Sequence, residues 1–134
     1  MIDKRKRALQ AFASFLSDFV RDLNHLSDDG WSLLVEGQRD KTAMRKLGFK
    51  GTLFTVSSLG RGVQRALGDS KKVVILTDLD REGTLLASKF VRILSHEGVK
   101  TSLAERSRLK LATRGVFLHV ENLSRFAETA GERA

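Results

Sequence analysis

With 134 residues, of which 41% are hydrophobic and 30% charged, the chain has the composition of one soluble globular domain and not of a disordered segment. It contains no cysteine, which excludes disulfides and thiolate metal sites and favours a cytoplasmic location. Its formal net charge is +8, and no apolar run approaches the roughly 20 residues that cross a bilayer. We therefore expect neither a membrane protein nor a disulfide-stabilised secreted one.

The positive charge is unevenly distributed along the chain. Residues 1–30 carry five basic and five acidic side chains, whereas residues 31–134 carry nineteen basic and eleven acidic ones. The net charge therefore lies in the second part. A basic body favours a polyanionic partner, and we expect nucleic acid, DNA or RNA, held through its phosphates. A solvated basic surface is the alternative.

The first predicted element is a helix over residues 3–27, which ends at Asp28-Asp29-Gly30. Its apolar residues recur in steps of three and four: Leu9, Phe12, Leu16, Phe19, Leu23 and Leu26. We expect residues 1–30 to form a helical extension of a domain that spans residues 31–134. The stripe either packs on that domain or mediates a homodimer through the N-terminal helix.

From Trp31 onwards, predicted strands alternate with predicted helices. Strands are expected at 32–37, 52–56, 72–77 and 99–103, helices at 39–47, 63–67 and 81–97, and a loop at 57–62. Residues 105–114 are basic and partly helical, and a last apolar run covers 116–120 before a short C-terminal helix. This alternation predicts an α/β fold with a mainly parallel sheet of about four strands and helices on both faces.

Acidic residues follow two of these strands, Glu36 after the first and Asp78 and Asp80 after the third. The ends of parallel strands share one edge of a sheet, where ligands of open α/β sheets bind. At about 6 Å apart, each like-charged pair costs roughly 3 kcal/mol at an effective dielectric near 20. Three such carboxylates must protonate, separate or bind a cation, and hard oxygen ligands favour Mg²⁺ or Mn²⁺. A helix cap or a surface ion pair is the alternative for each acid alone.

Two motifs carry a resemblance to the Toprim family. Leu34–Asp40 with Ala43 resembles the first Toprim motif, and Ile75–Gly83 resembles the family's Asp-x-Asp motif. The likeness covers about Leu33 to Leu123. Within the family, the chain is most similar to small stand-alone archaeal Toprim proteins. Characterised relatives are the ribonuclease that matures 5S ribosomal RNA and the Toprim domains of primases and topoisomerases. The resemblance implies the Toprim (Rossmann-like) fold.

The resemblance also implies roles for individual residues. Glu36 is expected to be the general acid/base or a metal ligand, with Asp78 and Asp80 as Mg²⁺ ligands. Asp40 is expected to support the cluster, and Glu82 either assists it or is an exposed acid in the first turn of a helix, where a negative charge is favourable. Four basic residues are candidates for phosphate or nucleic-acid binding, although ordinary surface pairing is an alternative for the first two: Arg39, Arg81, Arg106 and Lys110.

The chain departs from the topoisomerases of this family because it contains no tyrosine, which excludes their covalent tyrosyl link. What the resemblance then implies is a Mg²⁺-dependent nuclease that hydrolyses phosphodiesters. The competing class is a non-catalytic Toprim module that binds nucleic acid or a DNA-repair or RNA-processing partner. A haloacid-dehalogenase-like phosphatase fits poorly, since it needs Thr or Val at the position of Glu82. A glycosyltransferase would need a sugar-nucleotide domain for which this length leaves no room.

Overall fold

The computed structural model describes residues 3–114 and 119–127. The strands in this part of the chain are β1 (Trp31–Val35), β2 (Leu53–Thr55), β3 (Lys72–Ile75) and β4 (Lys100–Ser102). The helices are α1 (Lys4–Asp28), α2 (Gln38–Lys46), α3 (Val56–Leu59), α4 (Val63–Leu67), α5 (Arg81–His96) and α6 (Ala104–Thr113), followed by a 3₁₀ helix (Val120–Phe126).

The four strands form one parallel sheet in the order β2-β1-β3-β4. The two central strands are in register from Trp31 opposite Lys72 to Leu34 opposite Ile75. They are almost fully buried, as their unbroken apolar runs predict for strands covered on both faces. The predicted α/β fold with a parallel sheet flanked by helices is confirmed.

Two hydrophobic cores lie on opposite faces of the sheet, because successive side chains of a strand alternate between faces. Val74 and Leu76 point into the first core, under α1, α2, α6 and the 3₁₀ helix. Val73 and Ile75 point into the second core, under α3, α4 and α5. Helices α2 and α5, which follow the two central strands, therefore lie on opposite faces.

Helix α1 contributes much of the first core. Four residues of its predicted stripe are buried there against the sheet, namely Phe12, Leu16, Phe19 and Leu23. Leu9, at 45% exposure, remains accessible near the start of the helix. The homodimer that the sequence suggests stays a prediction, and Leu9 marks the part of the stripe that a second copy can reach.

Two segments differ in detail from the expectation. The predicted loop over 57–62 begins inside a short helix, α3, because the Thr55 hydroxyl caps it by accepting from the Ser58 N–H at 3.4 Å. The basic segment 105–114 is largely one regular helix, α6. Residues 116–118 of the last apolar run lie outside the described residues. No helix in the described ranges has the length and apolarity needed to cross a bilayer.

Candidate metal centre at the ends of the central strands

The sheet topology brings the predicted acidic residues to one place. The chain leaves β1 toward β2 on one side and leaves β3 toward β4 on the other, so the strand order reverses between the two central strands. Ligands of open α/β sheets bind in the crevice outside such a switch point. Glu36 follows β1 and Asp78 follows β3, so both lie at this crevice.

Glu36 is connected to the neighbouring strand end. Its Oε1 accepts a hydrogen bond of 3.0 Å from the backbone N–H of Asp78. Asp40, which is 7% exposed, accepts from the Gly37 N–H at 3.0 Å through its Oδ2. The buried Asp40 therefore holds the turn that follows Glu36, and its supporting role at the site remains a prediction.

The loop from Asp78 to Asp80 is packed tightly against the first turn of α5. Asp80 caps the helix, since its Oδ1 accepts from the Gly83 N–H at 2.7 Å. A Cβ atom added to Gly83 would lie 1.8 Å from the Asp78 carbonyl oxygen. Only glycine permits this approach, and the Thr77 hydroxyl secures it by donating to the Gly83 carbonyl at 2.6 Å.

Arg106 lies beneath the same loop. It is only 6% exposed, and its Nε donates to the Thr77 carbonyl at 3.2 Å. Its Nη2 donates to the Asp78 carbonyl and to the Thr84 hydroxyl. The resemblance implied that Arg106 binds phosphate or nucleic acid, but its side chain is buried and its Nε and Nη2 donate to groups within the protein. We therefore assign it to holding the acidic loop.

His119 joins the site from the start of the 3₁₀ helix, and sequence reasoning missed it. Its Nδ1 lies 3.3 Å from Asp78 Oδ2 and 3.8 Å from Asp80 Oδ2. The neighbouring Val120 N–H donates to Asp78 Oδ1 at 2.8 Å. No motif or spacing in the sequence signals this histidine, because it reaches the carboxylates only through the packing of the chain's last described segment.

The electrostatics of the cluster shift three of its groups. Burial raises the pKa of the Glu36 carboxyl, and the nearby carboxylates of Asp78, Asp40 and Asp80 add to this against the opposing Asp78 N–H. Burial likewise raises the pKa of Asp40. The hydrogen bond with Asp78 raises the pKa of His119, because it favours the imidazolium form.

The donor atoms fit a divalent cation. Asp78, Asp80 and His119 each offer one ligand atom, and these three atoms lie within 4.8 Å of one another. The two carboxylates suit Mg²⁺ or Mn²⁺, whereas the imidazole, which can bind a metal only in its neutral form, favours Mn²⁺ or another transition metal. Glu36 stands beside this group, and its proposed role as a ligand remains a prediction.

The remaining predicted residues are dispersed around the site. A cleft of about 420 Å³ opens over Glu36, Asp40 and Asp78, and Arg39 lines it. Exposed positions in the first turn of α5 hold Arg81 and Glu82, and the exposed side of α6 holds Lys110. Within the described ranges, these last three residues make no hydrogen bond or ion pair with the carboxylates, and their roles remain predictions.

Comparison with known proteins identifies the class. A model of the Toprim domain matches residues 31–112, and the chain belongs to this family. It is 34% identical over 110 residues to a UPF0292 protein of Methanosarcina acetivorans, covering 81% of this chain and 76% of that protein. It is 33% identical over 106 residues to a UPF0292 protein of Pyrococcus abyssi, covering 78% and 80% respectively. The resemblance to small archaeal Toprim proteins is thus confirmed.

A solved structure also matches the fold. A putative protein from Aquifex aeolicus superimposes with a TM-score of 0.67 at 28% identity, covering 79% of this chain and 95% of that one. Toprim domains bind divalent metal ions and, as a family, carry out metal-dependent processing of nucleic acids. In this chain, the cluster of Asp78, Asp80 and His119 is a group that could hold such an ion.

Proposed function

We propose that this protein is a metal-dependent nuclease that hydrolyses phosphodiester bonds of DNA or RNA. The observation that supports it most is the convergence of Asp78, Asp80 and His119 within 4.8 Å, beside a Glu36 whose pKa is raised. A divalent ion bound there, Mg²⁺ or Mn²⁺, would supply Lewis-acid stabilisation of the charge that develops on the phosphate.

The residues divide the remaining work. Glu36 Oε1 is held by the Asp78 N–H, which leaves Oε2 to exchange a proton with the attacking water or the leaving oxygen. A raised pKa suits this task, because a proton carrier works best when its pKa approaches the working pH. Arg39 lies at the rim of the same cleft, where a guanidinium can pair with a phosphate.

The test is cleavage of labelled single- and double-stranded DNA and RNA in Mg²⁺ or Mn²⁺. Glu36→Gln and Asp78→Asn are expected to lower the rate by about a hundredfold or more. Glu97→Gln, an exposed acid at the opposite end of α5, is the matched control. Cleavage that survives both site substitutions would overturn the assignment. Binding without cleavage of any substrate would favour the non-catalytic module.

Metal binding is measured separately by titrating Mn²⁺ calorimetrically into the wild type, Asp80→Asn and His119→Gln. Asparagine preserves the cap on α5 through its side-chain oxygen while removing the charge, so the helix is expected to stay intact. We expect each substitution to weaken Mn²⁺ binding by about tenfold or more. Unchanged affinity in either variant would remove that residue from the ligand set.

A further inference from the structure

A second cleft leads away from the carboxylates, between α2 and the 3₁₀ helix. Its volume is about 310 Å³, at the lower end of the range for small-molecule pockets. Gln38, Arg39 and Glu121 line both this cleft and the one above the carboxylates, so the two clefts are adjacent. We call the second one the α2 cleft. A polymer whose phosphate lies at the metal centre would meet it next.

The walls of the α2 cleft carry unused hydrogen-bonding groups. Within residues 3–114 and 119–127, the side-chain amides of Gln38 and Asn122 make no hydrogen bond with the protein. The hydroxyls of Thr42 and Ser124 donate to backbone carbonyls at 3.0 and 3.1 Å, which leaves their oxygens free to accept. Amides that donate and accept at once match the edges of nucleobases.

The charge of the cleft differs from that of the metal centre. Arg39 and Lys46 line the cleft together with Gln38 and Thr42 of the same helix. Arg39 and Lys46 are seven residues apart, which is about 10 Å along a helix. The Arg39 side chain is 88% exposed and 4.0 Å from Glu121, a pairing that a phosphate displaces at little cost. The exposed Lys46 makes no ion pair with any described residue. Arg39 and Lys46 are thus two cations placed along α2, where the phosphates of a strand that leaves the metal centre through the cleft can contact them.

The shape of the cleft favours an unpaired nucleotide. It lies between two helices and is small, so a single base with its sugar can enter, whereas a stacked base pair would have to open first. Unpaired bases also expose the edges that amide side chains recognise. We propose that the α2 cleft binds one unpaired nucleotide next to the phosphodiester at the metal centre, so that single-stranded nucleic acid is the preferred substrate. This inference rests on the proposed hydrolytic function.

The experiment measures binding apart from cleavage. Fluorescein-labelled single-stranded oligonucleotides and a hairpin duplex are titrated with protein in Ca²⁺, and fluorescence anisotropy gives each Kd. The variants are Lys46→Glu and the double substitution Gln38→Ala/Asn122→Ala. The controls, Lys89→Ala and Gln64→Ala, change exposed residues of the same types on α5 and α4, which cover the other face of the sheet.

We expect both cleft variants to weaken binding of the single strand by about five- to tenfold or more, and the controls to leave it unchanged. Lys46→Glu is expected also to reduce the salt dependence of binding, because it removes a phosphate contact. Lys46 is exposed, so this variant tests the cleft even if the double substitution destabilises the fold.

Three results would overturn the inference. They are an unchanged Kd for the single strand in the cleft variants, an equal weakening of duplex and single-strand binding in those variants, and no binding of any oligonucleotide. Failure of the proposed function looks different. Cleft-dependent binding without cleavage in Mg²⁺ would contradict hydrolysis and leave the role of the cleft intact. Cleavage in Mg²⁺ combined with binding that does not depend on the cleft would support hydrolysis and contradict the role of the cleft.

Discussion

Glu36 and Asp78 are 42 residues apart in the chain, yet the backbone N–H of Asp78 donates to Glu36 Oε1 at 3.0 Å. Glu36, which the sequence predicts to be catalytic, therefore also holds the loop that carries Asp78 and Asp80. The contact connects the ends of the two central strands at the switch point of the sheet. The proposed catalytic role of Glu36 and the local stability of this loop are therefore coupled in one side chain.

This contact predicts that two substitutions of Glu36 differ in their effect on stability. Glutamine keeps an oxygen that can accept from Asp78, whereas alanine leaves that N–H without its partner. We expect Glu36→Ala to lower the free energy of unfolding by about 1–2 kcal/mol more than Glu36→Gln, and both to abolish cleavage. Urea denaturation of the two variants measures the difference. Equal stabilities would show that water replaces the carboxylate in this contact.

The buried Asp40 predicts how stability depends on pH in the presence of a metal chelator. Its pKa is raised from 3.8 by burial, so the folded state retains a proton that the unfolded state has released. Stability is therefore expected to fall as the pH rises from 3.8 through the pKa of the folded state. Asp40→Asn keeps an acceptor for Gly37 and should flatten this dependence. Urea denaturation between about pH 4 and 8 tests it, with the exposed Asp69→Asn as control. Parallel profiles of wild type and Asp40→Asn would contradict it.

Gly83 predicts a sharp steric effect. Because an added Cβ would lie 1.8 Å from the Asp78 carbonyl oxygen, Gly83→Ala must push α5 away from the acidic loop. We expect a loss of about 3 kcal/mol in stability and much weaker Mn²⁺ binding. Gly37→Ala is the control, since a Cβ there meets nothing within 4 Å, and its cost is expected to stay within about 1 kcal/mol. Similar thermal denaturation of both variants would refute the close approach.

Arg106 is expected to act as a positioning residue. Methionine at this position would leave the acceptors of Thr77, Asp78 and Thr84 without their donor, at a cost of about 3 kcal/mol. Lysine keeps the charge but cannot span three acceptors, so it should recover only part of the stability. Lys110→Met, exposed on the same helix, is expected to change stability by less than about 0.5 kcal/mol.

Two measurements distinguish positioning from general support of the fold by Arg106. Thermal denaturation ranks the three variants, and Mn²⁺ calorimetry is performed well below their unfolding temperatures. We expect the folded Arg106→Lys variant to bind Mn²⁺ more weakly than the wild type, because lysine cannot replace all the hydrogen bonds by which the guanidinium holds the Asp78 loop. Wild-type affinity in that variant would confine Arg106 to a structural role.

The proposed homodimer is tested at the exposed end of α1. Sedimentation of the wild type is expected to show a dimer, and Leu9→Asp, at a position that is 45% exposed, should shift it to a monomer. Phe12→Asp is unsuitable because Phe12 is 8% exposed and its loss would open the core. A wild type that stays monomeric at every concentration would assign the stripe to the core alone.

The sequence by itself determined the parallel α/β architecture and the edge at which its acids meet. The apolar runs Leu33–Val35 in β1 and Val73–Ile75 in β3 predict buried strands, and parallel strands place Glu36 and Asp78 at a common edge. These inferences succeed because they depend on local periodicity and on rules of chain direction.

Only the tertiary structure decided what surrounds those acids. Arg106 lies 29 residues beyond Thr77 and His119 lies 41 residues beyond Asp78, and nothing in the local sequence relates them. A basic segment looks the same in sequence whether one of its arginines faces solvent or the protein interior. The packing of α6 and the 3₁₀ helix on the sheet settles that choice, because burial forces the guanidinium to find acceptors and brings the imidazole to the carboxylates.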